Sequence, residues 1–297
     1  MRRLIPGVVV LSCAVAAEAP AQFVQSVPEY VEGNFRTFTG TRYPDTNAVL
    51  GAPSPVVGAE QAFAGVLSPF NPHYETDELL GLGLGGRITL DFGRAVPVTG
   101  GPQVGIFTNA ALVDTAFPSG SPGAVAETYA ADEYGERTAV VEVASNPSDF
   151  RSLGRFVFDA PTNAFANAAD PYQFPPPNPA VPADFTRPFT RPLSDFSGQD
   201  FAGVLDVLGG SAGGTWVSVP LDLGLTDIRY VRLSDTKWLL PDGTLVDQRQ
   251  SAYFPDPPFI KPADLFLDAA VLVPEPAGAL WLLLTGGAVV LRRRRRA

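Results

Sequence analysis

Thirty prolines and 29 glycines punctuate this chain of 297 residues, and that punctuation restricts the fold more than any other feature. Proline has a fixed φ and no N–H, so it stops helices and biases the residue before it toward extended backbone. No amphipathic helix of ordinary length stands out between the breaks. What remains is a set of short alternating runs separated by turn residues, the pattern of an all-β body with long Pro/Gly-rich loops.

The clearest strand is Arg87-Ile88-Thr89-Leu90-Asp91-Phe92, followed after Thr99-Gly100-Gly101-Pro102 by Gln103–Thr108. Thr138–Ala144 has one buried and one exposed side, and Phe150–Phe158 returns beside it as a hairpin around Asn146-Pro147-Ser148-Asp149. Further strands are Trp216–Leu221, Asp227–Asp235 and Phe266–Val271, while Phe201–Leu208 reads equally as short helix or strand. In Asp227–Asp235 the apolar face comprises Ile228, Leu233 and either Tyr230 or Val231. The proline-rich stretch 159–198, centred on Pro175-Pro176-Pro177, reads as an extended insertion and not a second domain.

Residues 1–21 have the layout of a secretory signal: Arg2 and Arg3, the apolar run Leu4–Ala17, then small residues Ala19 and Ala21 for cleavage by signal peptidase before Gln22. The single cysteine, Cys13, lies in this segment. Its rival role is as a lipidated residue, although Leu11 is larger than the residue usual two positions before such a cysteine. The body, 22–273, therefore has no disulfide and no thiolate metal site. It carries 14 basic and 29 acidic residues, a net of −15, against −10 for the whole chain. So acidic a body lacks the basic footprint that nucleic acid requires.

Little in the body points to chemistry. His73 is the only histidine and sits in the turn-like Asn71-Pro72-His73-Tyr74, where a packed or surface role is the expectation. There is no G-x-S-x-G elbow for a serine nucleophile. Gly81–Gly86 matches the letters G-x-G-x-x-G, but its strand follows the glycines instead of preceding them, so the context for dinucleotide binding fails and the glycines read better as a turn feeding the strand. Calcium is the one cofactor the composition suits, through Asp235 and Asp268, with Asp45 and Asn47 as a loop candidate. No spaced D-x-D-x-D-G loop supports it. Trp216, Trp238 and Tyr253 are aromatic platforms available to stack on a glycan, because sugar C–H faces are apolar; the rival reading makes Trp216 core and leaves Trp238 covering an edge, so that Trp238 and Tyr253 are the glycan candidates.

The segment 274–297 opens with Pro274, Glu275 and Pro276, continues as the apolar run Ala277–Leu291, and closes on Arg292, Arg293, Arg294, Arg295 and Arg296. Fifteen residues reach roughly 22 Å as a helix, short of a hydrocarbon core of about 30 Å. Snorkelling arginine stems or local thinning of the bilayer make up the difference. The arginine block stays cytoplasmic, which leaves the body outside. A plain membrane anchor is the simpler reading of these parts.

The order of parts resembles the PEP-CTERM sorting signal. That resemblance implies recognition by an exosortase, a membrane transpeptidase-like enzyme that cuts near Pro274-Glu275-Pro276 and delivers the body to the cell surface or exopolysaccharide. Within the body, Gly85–Phe92, Ala139–Ser145, Tyr230–Asp235 and Leu267-Asp268-Ala269 look like core strands of PEP-CTERM surface proteins with discoidin-like or galactose-binding-like domains. This second resemblance implies a jelly-roll-like β-sandwich and allows surface glycans as ligands. Thr108 departs from it, standing where that group usually has a glutamate. The resulting expectation is a non-enzymatic exported protein, structural or ligand-binding; the alternative is a secreted carbohydrate-active enzyme using paired carboxylates.

Overall fold

The computed structural model describes residues 20–35, 41–58, 64–117, 123–127, 136–255, 258–262 and 264–274, with backbone alone for 249–255 and 258–262. The signal segment before Pro20 and the tail from Glu275 onward lie outside the described residues.

The described chain is mostly antiparallel β-strand, with one α-helix among the described residues. Its main strands are β1 (Gln22–Phe23), β2 (Ser26–Val31), β3 (Leu80–Leu82), β4 (Arg87–Pro97), β5 (Pro102–Thr108), β6 (Glu136–Ala144), β7 (Arg151–Val157), β8 (Thr215–Ser218), β9 (Asp227–Leu239), β10 (Leu245–Val246) and β11 (Leu265–Leu272). One sheet runs β1-β11-β5-β8, with β3 paired to the same edge of β11 as β1. The other runs β7-β6-β9-β4-β2, extended by β10 on β9. From β3 to β6 the chain crosses between sheets at every strand, and the two share a buried core.

Alternation explains the core. Ile88, Leu90 and Phe92 of β4 are fully buried against Ala139, Val141 and Val143 of β6 and against Val104 and Ile106 of the opposite sheet. Burying each large apolar side chain contributes about 1.5–3 kcal/mol. In β9 the register slips between Ile228 and Tyr230, so Ile228, Val231 and Leu233 all face inward, and Val231, not Tyr230, joins the apolar face.

The outer face of this second sheet is charged and paired. Glu142, Arg232, Thr89 and Glu29 form one cross-strand row over β6, β9, β4 and β2. Arg232 donates two bonds to Glu142 at 2.7 and 2.8 Å, and Arg229 donates two to Asp91 at 2.8 and 2.9 Å. The hydrogen bond from Arg229 holds the Asp91 carboxyl below its ordinary range.

The first sheet is covered on both faces. Leu265, Leu267, Ala270 and Leu272 of β11 face the shared core, whereas Ala269, Val271 and Val273 face outward with Phe107. Trp216 of β8 adds to that outward face, and Ala183, Phe185 and Ala212 lie over it. The proline-rich insertion is therefore not an extended loop; it folds back as a cap. With neighbouring segments it builds a second apolar core around Leu67, Phe70, Phe165, Phe189, Phe196 and Phe201. The helix α1 (Phe201–Leu208) belongs to this cap; Asp200 accepts from the Gly203 N–H at its start, and Gly209 (φ 58°) ends it. The insertion runs on through α1, and the longer segment 161–214 closes on itself where Gly214 N–H donates to Pro161 C=O at 3.1 Å. At Gly213 a Cβ would lie 2.1 Å from that same carbonyl oxygen, so only glycine fits the closure.

Candidate functional site

Strand β11 carries an extra residue between Leu267, opposite Thr108, and Ala269, opposite Phe107. That residue is Asp268. Bulges re-aim side chains, and this one gives a carboxylate to a position that regular alternation would make apolar. Asp268 is 3% exposed and accepts from His73 Nδ1 at 2.9 Å, and the ring of His73 is equally buried. The pair joins the turn after Asn71 to the centre of the covered sheet. Glu78 lies near enough to act on both charges, while its own carboxylate accepts from the N–H groups of Gly58 (2.6 Å), Glu75 (3.2 Å) and Tyr74 (3.3 Å).

Burial pulls the His73 pKa down, but the hydrogen bond and charge of Asp268, followed by Glu78 and the Val56 backbone, outweigh it and leave it raised. Burial pushes Asp268 up, and its bond to His73 offsets only part of that. As a unit the pair holds a proton to higher pH than a free histidine would. Among the described residues no hydroxyl is hydrogen-bonded to the buried His73 Nε2, the position a nucleophilic triad would use. Thr108 is also buried here, its Oγ1 accepting from Ala110 N–H at 3.3 Å.

A pair of carboxylates sits at the open end of the β6–β7 hairpin. Thr138 faces Val157, and Phe158 N–H donates to Arg137 C=O at 2.9 Å, so the same register puts Asp159 across from Glu136. Burial, then the charge of Glu136, pushes Asp159 up to about 6, partly opposed by a backbone hydrogen bond. Burial raises Glu136 as well. Like charges directly opposed on a ladder destabilise it. Sequence reading did not isolate this pair, although the hairpin register, once drawn, contains it.

The residues expected to bind ligands are placed as follows. Trp238 is 3% exposed, with the Arg137 guanidinium 5.7 Å from its ring centroid and also 5.5 Å from that of Phe266, so it offers no open face to a sugar. The side chain of Tyr253 lies outside what is described. Asp235 sits on the other sheet from Asp268, has φ 49°, and is paired with Arg155 and, at 3.6 Å, with Lys237. The two aspartates proposed for calcium are thus on different sheets and already engaged. Asp45 accepts from Asn47 N–H at 2.9 Å as the cap of a short 3-10 turn. Among the described residues no group of three or more His, Cys, Asp or Glu is placed to hold a metal ion. Among the described residues the exposed aromatics are elsewhere: Tyr74, Phe117 (70% exposed), edge-on to Tyr172 at 6.4 Å, and Phe174.

Of the sorting and cleavage residues, Ala21, Gln22 and Pro274 are described; Ala19, Glu275, Pro276 and Arg292–Arg296 lie outside the described residues. Gln22 opens β1, opposite Leu272 at the end of β11. The chain matches no protein-family profile and no curated protein.

Proposed function

We propose that this is an exported surface protein, sorted by an exosortase, whose non-enzymatic body is a jelly-roll-like sandwich with a structural or ligand-binding role. The observation that carries the reading is the order Pro274-Glu275-Pro276, apolar run, arginine block in one short segment. Each part alone is common; the three in sequence are not. The body fits such a route, because Gln22 pairs with Leu272, so its two ends lie side by side on neighbouring strands of the first sheet. Processing breaks a peptide bond near the tripeptide. The tail leaves with the amine, and the acyl end of the body passes to water or to a surface nucleophile. Exopolysaccharide and surface glycans are the proposed partners of the delivered body.

The test is mass spectrometry of the protein from its own cells, combined with fractionation. The expected result is an N-terminus at Gln22, a C-terminus near Pro274–Pro276, and recovery with the exopolysaccharide fraction. Intact Arg292–Arg296 on the mature protein would reduce the tail to a plain anchor, and a lipidated Cys13 would make the protein a lipoprotein.

A further inference from the structure

The chain is held at its exit from the sandwich. Past the end of β11, Val273 N–H donates to Gln103 C=O at 2.9 Å, and Val273 C=O accepts from Gln103 Nε2 at 3.3 Å. Gln103 is itself fixed: it is 2% exposed, its Nε2 also donates to Pro97 C=O at 2.8 Å, and its Oε1 accepts from Thr99 N–H at 2.8 Å. On the other edge β1 pairs Gln22 with Leu272 and Phe23 with Val271. Val273 is 5% exposed among Phe107, Val271 and Phe23. Val271 and Leu272 are thus bordered by a strand on both sides, and Val273 is held on one side by Gln103.

In sequence only Pro274 and Glu275 separate Val273 from Pro276. An extended residue spans at most about 3.3–3.6 Å, so the tripeptide has roughly 10 Å of chain beyond the last clamped residue. A body of about 250 residues has a radius of gyration near 18 Å. Whether a segment yields to cleavage depends on the burial and hydrogen bonding of its backbone. An enzyme that grips extended chain on both sides of its cut finds little slack here.

We propose that Gln103 is a positioning residue for tail processing: by pinning Val273 it limits the free chain before Pro-Glu-Pro, and processing proceeds at the rate at which the Val271–Val273 end is released. This rests on the sorting reading above. The clamp makes the fold the gate, since a body that has not closed β1, β5 and β11 leaves its tail slack.

The test follows processing of the full chain in its own cells by pulse–chase. One variant inserts a ten-residue Gly/Ser spacer between Val273 and Pro274 and leaves the clamp intact. A second is Gln103→Ala, and a third replaces both Pro274 and Pro276 with Ala. The spacer is expected to speed processing at least three-fold. Gln103→Ala should speed it in the same direction, and the two together should add little, because they relieve one restraint. A purely structural role for Gln103 would lower the melting temperature without any effect from the spacer. If Gln103→Ala does not fold, the spacer variant decides alone. Processing of the spacer variant at the wild-type rate overturns the proposal while leaving the sorting reading standing, provided the double proline variant is blocked. An unprocessed wild type, or unimpaired processing of the double proline variant, removes the sorting reading itself and the proposal with it.

Discussion

Asp159 shows what one residue's surroundings do to the stability of the whole. Its folded pKa of about 6 stands above the ordinary aspartate value near 3.9. Between roughly pH 4 and 6 the folded protein therefore binds more protons at this site than the unfolded chain, and stability falls as pH rises through that window. Above about pH 7 the penalty is complete, because Asp159 and Glu136 are then both charged across one ladder position. Two pKa units correspond to about 2.7 kcal/mol, and residual solvent contact reduces that to about half. Asp159→Asn keeps the shape and removes the charge. It is expected to stabilise the body by about 1–2 kcal/mol at pH 7 and by almost nothing at pH 4, as read from urea midpoints at the two pH values. An equal gain at both would assign the effect to packing instead of charge.

At the scale of elements, the bulge in β11 turns a strand into an attachment point for the cap. His73→Ala would leave Asp268 buried without its partner and should cost about 3–5 kcal/mol, as should Asp268→Ala for the histidine. Replacing both with leucine should recover much of that loss, so a double-mutant cycle in urea is expected to show strong coupling. Purely additive losses would mean that the contact does not join the turn to the strand. The same region marks where reading the sequence stops. Ile88, Leu90 and Phe92 announce their strand, because period-two alternation needs only local information. Tyr230 and Val231 remained alternatives, since a register slip inverts alternation and is set by the partner strand. The bond between His73 and Asp268 spans 195 positions, and nothing local specifies it. One signal was available and unused: Leu265–Val273 is almost wholly apolar, as strands covered on both faces are, which already implied a layer over this sheet.

For the molecule as a whole, that covering layer decides what the proline-rich insertion is for. A spacer could be shortened without consequence, whereas a cap could not. The ends of the segment 161–214 are already in contact, through Gly214 N–H on Pro161 C=O and Asn163 N–H on Ala212 C=O at 3.0 Å, so a short Gly-Ser link can replace the residues between 163 and 212 without pulling on β7 or β8. Such a deletion leaves every pairing of the two sheets available. It strips the outward face of β5, β8 and β11, uncovering Phe107, Trp216 and Val271, and also removes Phe165, Phe189, Phe196 and Phe201 from beside Leu67 and Phe70. Contiguous apolar area of that kind drives association. The deleted body is therefore expected to keep a β-type far-ultraviolet spectrum, to bind a hydrophobic dye that the intact body does not, and to run as oligomers in size-exclusion chromatography. A monomeric, dye-silent deletion variant would show that the sandwich holds itself closed and that the insertion is an appendage after all.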